Sequence, residues 1–95
     1  MSQTPPRIFS SREHIDAIER WIVQLDDEAR VRVTLEDGSV VEGTVSARPT
    51  LEVFRDRDGN EGHNALLRLD DLERPETAHH AWLGDIREVE QLRTA

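Results

Sequence analysis

The chain has 95 residues, 36% of them apolar and 34% charged. That is room for one domain with one modest core, lean but too apolar for a disordered polymer. It contains no cysteine, which excludes disulfides, thiolate nucleophiles and cysteine-bound metal centres and leaves the redox compartment open. The 20 acids outnumber the 12 bases by enough to give a net charge of −8, and a net negative charge disfavours a phosphate-backbone partner.

All the bases are arginine, a bias best explained by a GC-rich genome. Half of them fall within residues 30–68, a nearly neutral stretch between two acidic flanks, so an anion would bind there if anywhere. Met1 to Phe9 holds Pro5 and Pro6 and no apolar run, as expected of a flexible leader and not of a signal peptide or membrane span. A cytoplasmic location with no membrane partner is therefore expected, as is one domain over residues 10–95.

Ser10-Ser11-Arg12-Glu13 has the S-x-x-E spacing of a capping box, placing a helix start at Ser10. Ile15, Ile18, Trp21, Ile22 and Leu25 follow at spacings of three and four and form one apolar stripe. Asp26-Asp27-Glu28 oppose the helix dipole, so the helix should stop near Leu25 to Asp27.

From Arg30 the period becomes two. Val31, Val33 and Leu35 alternate with Arg32, Thr34 and Glu36 in a half-buried strand. Asp37-Gly38 predicts a two-residue hairpin with a type I′ turn, and the return strand runs from Ser39 to about Arg48. Gly43 in mid-strand leaves a gap that permits a sharp bend. Leu51, Val53 and Phe54 extend the sheet, Asp56 to Gly62 form a turn, and His63 to Leu69 is the most apolar strand. Two short strands, about 78–83 and 86–91, complete the chain around Gly84-Asp85. A helix followed by five short strands, pivoting at Gly43, implies an α+β, mainly β domain whose strongly bent antiparallel sheet rolls into a small barrel.

Asp56-x-Asp58-x-Asn60 matches the start of a calcium loop. Glu61 stands where glycine is needed and Leu67 where a bidentate acid is needed, so a solvated hairpin tip is the better reading. His79 and His80 point to opposite faces of a strand and cannot share a metal. There is no nucleophile elbow and no phosphate-cradling loop. The chain is accordingly expected to be no enzyme and to carry no metal or cofactor. Arg30 and Arg32 share one face of the first strand, either as an anion-binding stripe or paired with nearby glutamates.

The helix, Val31 to Gly38, Val41 to Val45 and His63-Asn64-Ala65-Leu66-Leu67-Arg68-Leu69-Asp70-Asp71 together resemble an Sm-like (LSm) domain. More closely, the chain is similar to a bacterial family of short uncharacterised proteins with a variant Sm-like fold. The resemblance implies an Sm-like or SH3-like small barrel and self-association, as a dimer or a ring, through its last two strands. It also implies a partial RNA pocket at Asn64, with His63 as a weak stacking surface and Arg87 from the second motif; Arg30 and Arg32 would add charge. Asn60 replaces the acid expected four residues before Asn64, and Glu88 replaces glycine after Ile86-Arg87, so that pocket is incomplete. Asn64 has a competing local role as an amide that satisfies neighbouring backbone. Trp82 and Leu83 are candidates for the subunit contact, and a protein adaptor that binds no RNA is the alternative reading.

Overall fold

The computed structural model describes residues 4–92. Its one α-helix, α1 (Arg12–Gln24), is followed by β1 (Arg30–Leu35), β2 (Val40–Val45), β3 (Glu52–Arg55), β4 (Glu61–Asn64), β5 (Leu66–Asp70), β6 (Ala78–Trp82), a 3-10 turn (Leu83–Asp85) and β7 (Ile86–Gln91). Five strands form an antiparallel sheet in the order β6-β5-β2-β1-β7, and β3 and β4 form a separate two-stranded sheet. The sheet is open, in contrast to the closed, strongly bent barrel expected: β6 and β7 are its two edges and share no ladder. The three-residue turn nonetheless runs from one edge to the other, so Trp82 and Ile86 are held within about 14 Å by chain length alone.

The apolar stripe of α1 packs on this sheet as its spacing requires. Ile18 and, just past the helix, Leu25 are buried with Val31, Val33, Val45, Leu67, Leu69, Leu83 and Ile86, while Trp21 and Ile22 cover the margin. The cap falls one residue later than the capping box predicts. The Ser11 hydroxyl accepts from the His14 amide at 3.3 Å, so Glu13 is out of register for the reciprocal bond.

Both aspartate–glycine hairpins form, through a turn other than type I′. Within the two loops, only Gly38 and Gly59 have positive φ, at 89° and 84°. In the first, Gly38 N–H donates to the Leu35 carbonyl and Leu35 N–H to the Ser39 carbonyl. In the second, Gly59 donates to Asp56 and Asp56 to Asn60. These are three-residue loops closed by a left-handed glycine. The Asp37 carboxylate accepts from the Ser39 amide and hydroxyl, and that of Asp56 from the amides of Asp58 and Asn60 and the Asn60 side chain. The calcium-like spacing at Asp56 thus serves to close a turn.

Two other expectations change. Gly43 is a point of close approach: a Cβ there would lie 2.6 Å from the Asp70 carbonyl oxygen and 2.8 Å from Leu69 Cβ. The strand expected over His63 to Leu69 is two strands in two sheets, interrupted at Ala65. The expected terminal strands are present as β6 and β7.

Gly43→Ala should cost about 1–3 kcal/mol by forcing β2 and β5 apart; chemical denaturation reads the loss directly. The carboxyls of Asp37, Asp56 and Asp71 sit below the ordinary aspartate value of 3.8. Ser39 lowers Asp37, the Asn60 amide lowers Asp56, and His79 with the Arg74 and Glu73 amides lowers Asp71. Groups depressed on folding stabilise the native state fully above 3.8, and that stability is lost as pH falls through the lower folded values. The urea midpoint should therefore decline below about pH 4, and less steeply in Asp56→Asn.

Candidate functional site

The break between β4 and β5 creates a tightly constrained polar point at Asn64. The Ala65 amide, unable to continue a ladder there, donates to the Asn64 side-chain oxygen at 2.8 Å. The same oxygen accepts from the Gly84 amide at 3.0 Å, and the Asn64 Nδ2 donates to the Arg7 carbonyl at 3.0 Å. Asn64 is 1% exposed and is the one buried polar side chain among the described residues. Its carboxamide therefore joins the sheet break, the turn before β7 and the segment preceding α1.

That segment is built into the domain over residues 7–9, where a loose leader was expected; residues 1–3 of the leader lie outside the described residues. Phe9 and His63 exchange both backbone hydrogen bonds, at 2.9 and 2.6 Å. Ile8 crosses Gly62 and Phe9 crosses Gly84 so closely that a Cβ on either glycine would overlap them. The Arg7 guanidinium donates to Asp85 at 2.5 Å and Glu36 at 3.1 Å and lies 5.3 Å from the centre of the Phe9 ring. Its hydrogen bonds to Asp85 first, then to Glu36, raise the Arg7 pKa above its ordinary value.

The residues predicted for RNA binding are not gathered into one site. Asn64 is buried, both its side-chain oxygen lone pairs are used and one of its two N–H groups is bound, which supports the local role. His63 is half-buried behind Phe9, and its Nδ1 is buried with no partner among the described residues. Arg32 donates to Glu42 and to Glu90, the latter at 2.9 Å, so its charge is matched. Arg30 and Arg87 are exposed and carry no ion pair among the described residues. Arg30 begins β1 opposite the end of β7, whereas Arg87 is the extra residue in the bulge where Thr34 pairs Glu88 and Leu35 pairs Ile86. About five residues of strand separate them, roughly 17 Å.

The interface candidates also divide. Leu83 is 1% exposed and its side chain is part of the protomer's own core. Trp82 stays half-buried on the outer face, edge-on to Phe54 with ring centres 5.8 Å apart.

Beside this node lies a cavity of about 110 Å³ between α1 and the sheet, with Phe9, His14, Trp21 and Glu36 in its wall. Sequence reasoning missed Arg7, Phe9, Glu36 and Asp85. The available signal was a lone Arg-x-Phe ahead of the two serines at the helix start. No group of three metal-binding side chains occurs among the described residues, and no helix there is long and apolar enough to cross a membrane.

Asn64→Ala removes three bonds and orphans buried backbone groups, at an expected cost of about 3 kcal/mol. Hydrogen exchange should locate the damage: the Ala65 and Gly84 amides should lose protection before the β1–β2 ladder does.

Comparison with known proteins agrees with this architecture. The crystal structure of XC5848 from Xanthomonas campestris, described as adopting a novel variant of the Sm-like motif, superposes with a TM-score of 0.87. It is 34% identical, over 98% of this chain and 100% of that one. No curated protein matches the chain. A family model described as a domain of unknown function, DUF3247, matches residues 2–92, and the chain belongs to that family.

Proposed function

We propose that this protein is a non-enzymatic Sm-like interaction module of the cytoplasm that self-associates through the free edges of its five-stranded sheet. The supporting observation is the edge chemistry of β6. Leu83 N–H donates to Ala65 and Asp71 N–H to Thr77 at the two ends of the β5–β6 ladder. Antiparallel pairs alternate between bonded and non-bonded, which turns the N–H and C=O groups of Ala78, His80 and Trp82 outward. On β7 the bond from Leu92 to Arg30 fixes the same alternation, leaving Val89 and Gln91 facing outward. Each edge thus offers a row of unpaired backbone groups to a second copy.

An RNA partner has weaker support. Asn64 has no acceptor capacity left, Arg32 is flanked by two glutamates and the net charge is −8.

Light scattering after size exclusion should give at least twice the 10.9 kDa protomer mass. His80→Pro removes an outward N–H that no internal ladder uses and should return the monomer with an unchanged circular dichroism spectrum. Association of acidic protomers should strengthen with salt, whereas RNA binding would weaken. A monomer at all concentrations refutes self-association, and salt-sensitive capture of single-stranded RNA would favour the other partner.

A further inference from the structure

We propose that the cavity between α1 and the sheet is a binding site for a small organic cation, with its apolar body inside and its charged head at Glu36. The cavity measures about 110 Å³, slightly less than the roughly 150 Å³ that admits a benzene ring in an engineered core cavity. Its walls are unusual for a domain with only four aromatic Phe, Trp and Tyr residues. Phe9, Trp21 and the His14 imidazole all line it, above a floor of Ile18 and Leu83. The Phe9 and His14 rings lie 4.9 Å apart and tilted. Aromatic faces carry negative charge at their centres and attract cations, most strongly where water is displaced.

A second observation shows what the rim accepts. Glu36 lines both the cavity and an adjoining surface depression that holds Arg7, Asp37 and Asp85. There the chain has placed a cation of its own, with the Arg7 guanidinium over the Phe9 ring and bonded to Glu36 and Asp85. The same ring and the same carboxylate thus already hold a planar organic cation beside the cavity. Three carboxylates, Glu36, Asp37 and Asp85, against the one Arg7 guanidinium leave the rim net negative, which opposes anions. A neutral ring would fill the apolar space and leave Glu36 without a new partner. The ligand class is therefore an amine, amidine or guanidine bearing a compact apolar group. This site is independent of self-association and stands or falls separately from it.

Benzamidine is the probe, because its planar amidinium copies the Arg7 head and its phenyl ring is a compact apolar group. Proton–nitrogen NMR on the full chain would follow the Gly84 amide and the indole N–H of Trp21, with Trp82→Phe leaving only one indole signal. Saturable shifts are expected with a dissociation constant on the order of 1 mM. Glu36→Gln should weaken binding about tenfold, the value of one charge-assisted hydrogen bond. Benzyl alcohol, a neutral analogue with the same ring, should bind about tenfold more weakly than benzamidine to the unaltered protein, a comparison that needs no variant to fold. The site is refuted if benzamidine gives no saturable shift at either reporter, if benzyl alcohol binds equally well, or if a folded Glu36→Gln binds as the parent does.

Discussion

Asn64 takes the Ala65 and Gly84 amides on its side-chain oxygen and holds the Arg7 carbonyl with its nitrogen. Each is a backbone group that regular structure cannot satisfy. Ala65 lies where the chain leaves one sheet for another, Gly84 lies within a 3-10 turn, and Arg7 precedes any element. An unpaired buried polar group costs about 1–3 kcal/mol, so leaving two amides and a carbonyl open at one point, one buried and two part-buried, would consume much of a small domain's stability. One carboxamide serves all three because it offers two acceptor lone pairs and two donors within a few ångströms. An aspartate would lose the donor and bury a charge, and a glutamine would carry the same group one methylene too far.

With that point fixed, the geometry around it follows. The segment before α1 must pass close enough for its Arg7 carbonyl to reach Asn64, and Gly62 and Gly84 are bare where Ile8 and Phe9 cross them. Phe9 then stands at the end of α1 as one wall of a cavity, and Arg7 projects over Glu36 and Asp85. Those ion pairs are largely exposed and add little to stability singly. Their effect is to place a positive charge at one spot on a strongly acidic surface. The aromatic wall and the carboxylate rim are thus consequences of docking the leader.

Features governed by local chemistry were legible in the sequence. The stripe from Ile15 to Leu25, the alternation from Val31 to Leu35, both aspartate–glycine turns and the two strands flanking Gly84 all follow from residue period and turn preference. What was misread depends on tertiary approach. Ser10 and Ser11 both have hydroxyls suited to capping, and only the path of Phe9 onto His63 makes Ser11 the cap. His63 to Leu69 has one continuous apolar pattern, and nothing in it announces that Asn64 turns its amide inward and divides the strand. Gly43 was read as a bend because a missing side chain has two explanations, and close approach of Asp70 is invisible without β5 in place. Leu83 was offered as a contact because apolar character near a strand end does not distinguish core from surface. Arg7 and Phe9 are hard to single out because a Pro-Pro start suggests mobility, while their hydrogen-bond partners lie 29 or more residues away.

The strand edges can be ordered by how well each is guarded. The free side of β4 is partly occupied by Phe9, which pairs with His63. The short β3 exposes Glu52 and Arg55, and β7 exposes Arg87, Glu88 and Glu90. Charged side chains at an edge discourage indiscriminate pairing, since a second strand must desolvate or match them. β6 alone has no permanently charged residue: it reads Ala-His-His-Ala-Trp, with the half-buried Trp82 at its end. A protein of this size with net charge −8 has acids in abundance, so their absence from one edge is a local property and not a shortage. Self-association is therefore best sought at β6, where backbone pairing meets the least electrostatic resistance. The charged strand β7 suits it as a selective partner, because the outward amides of Val89 and Gln91 can pair there only in a register that also accommodates Arg87 and Glu90.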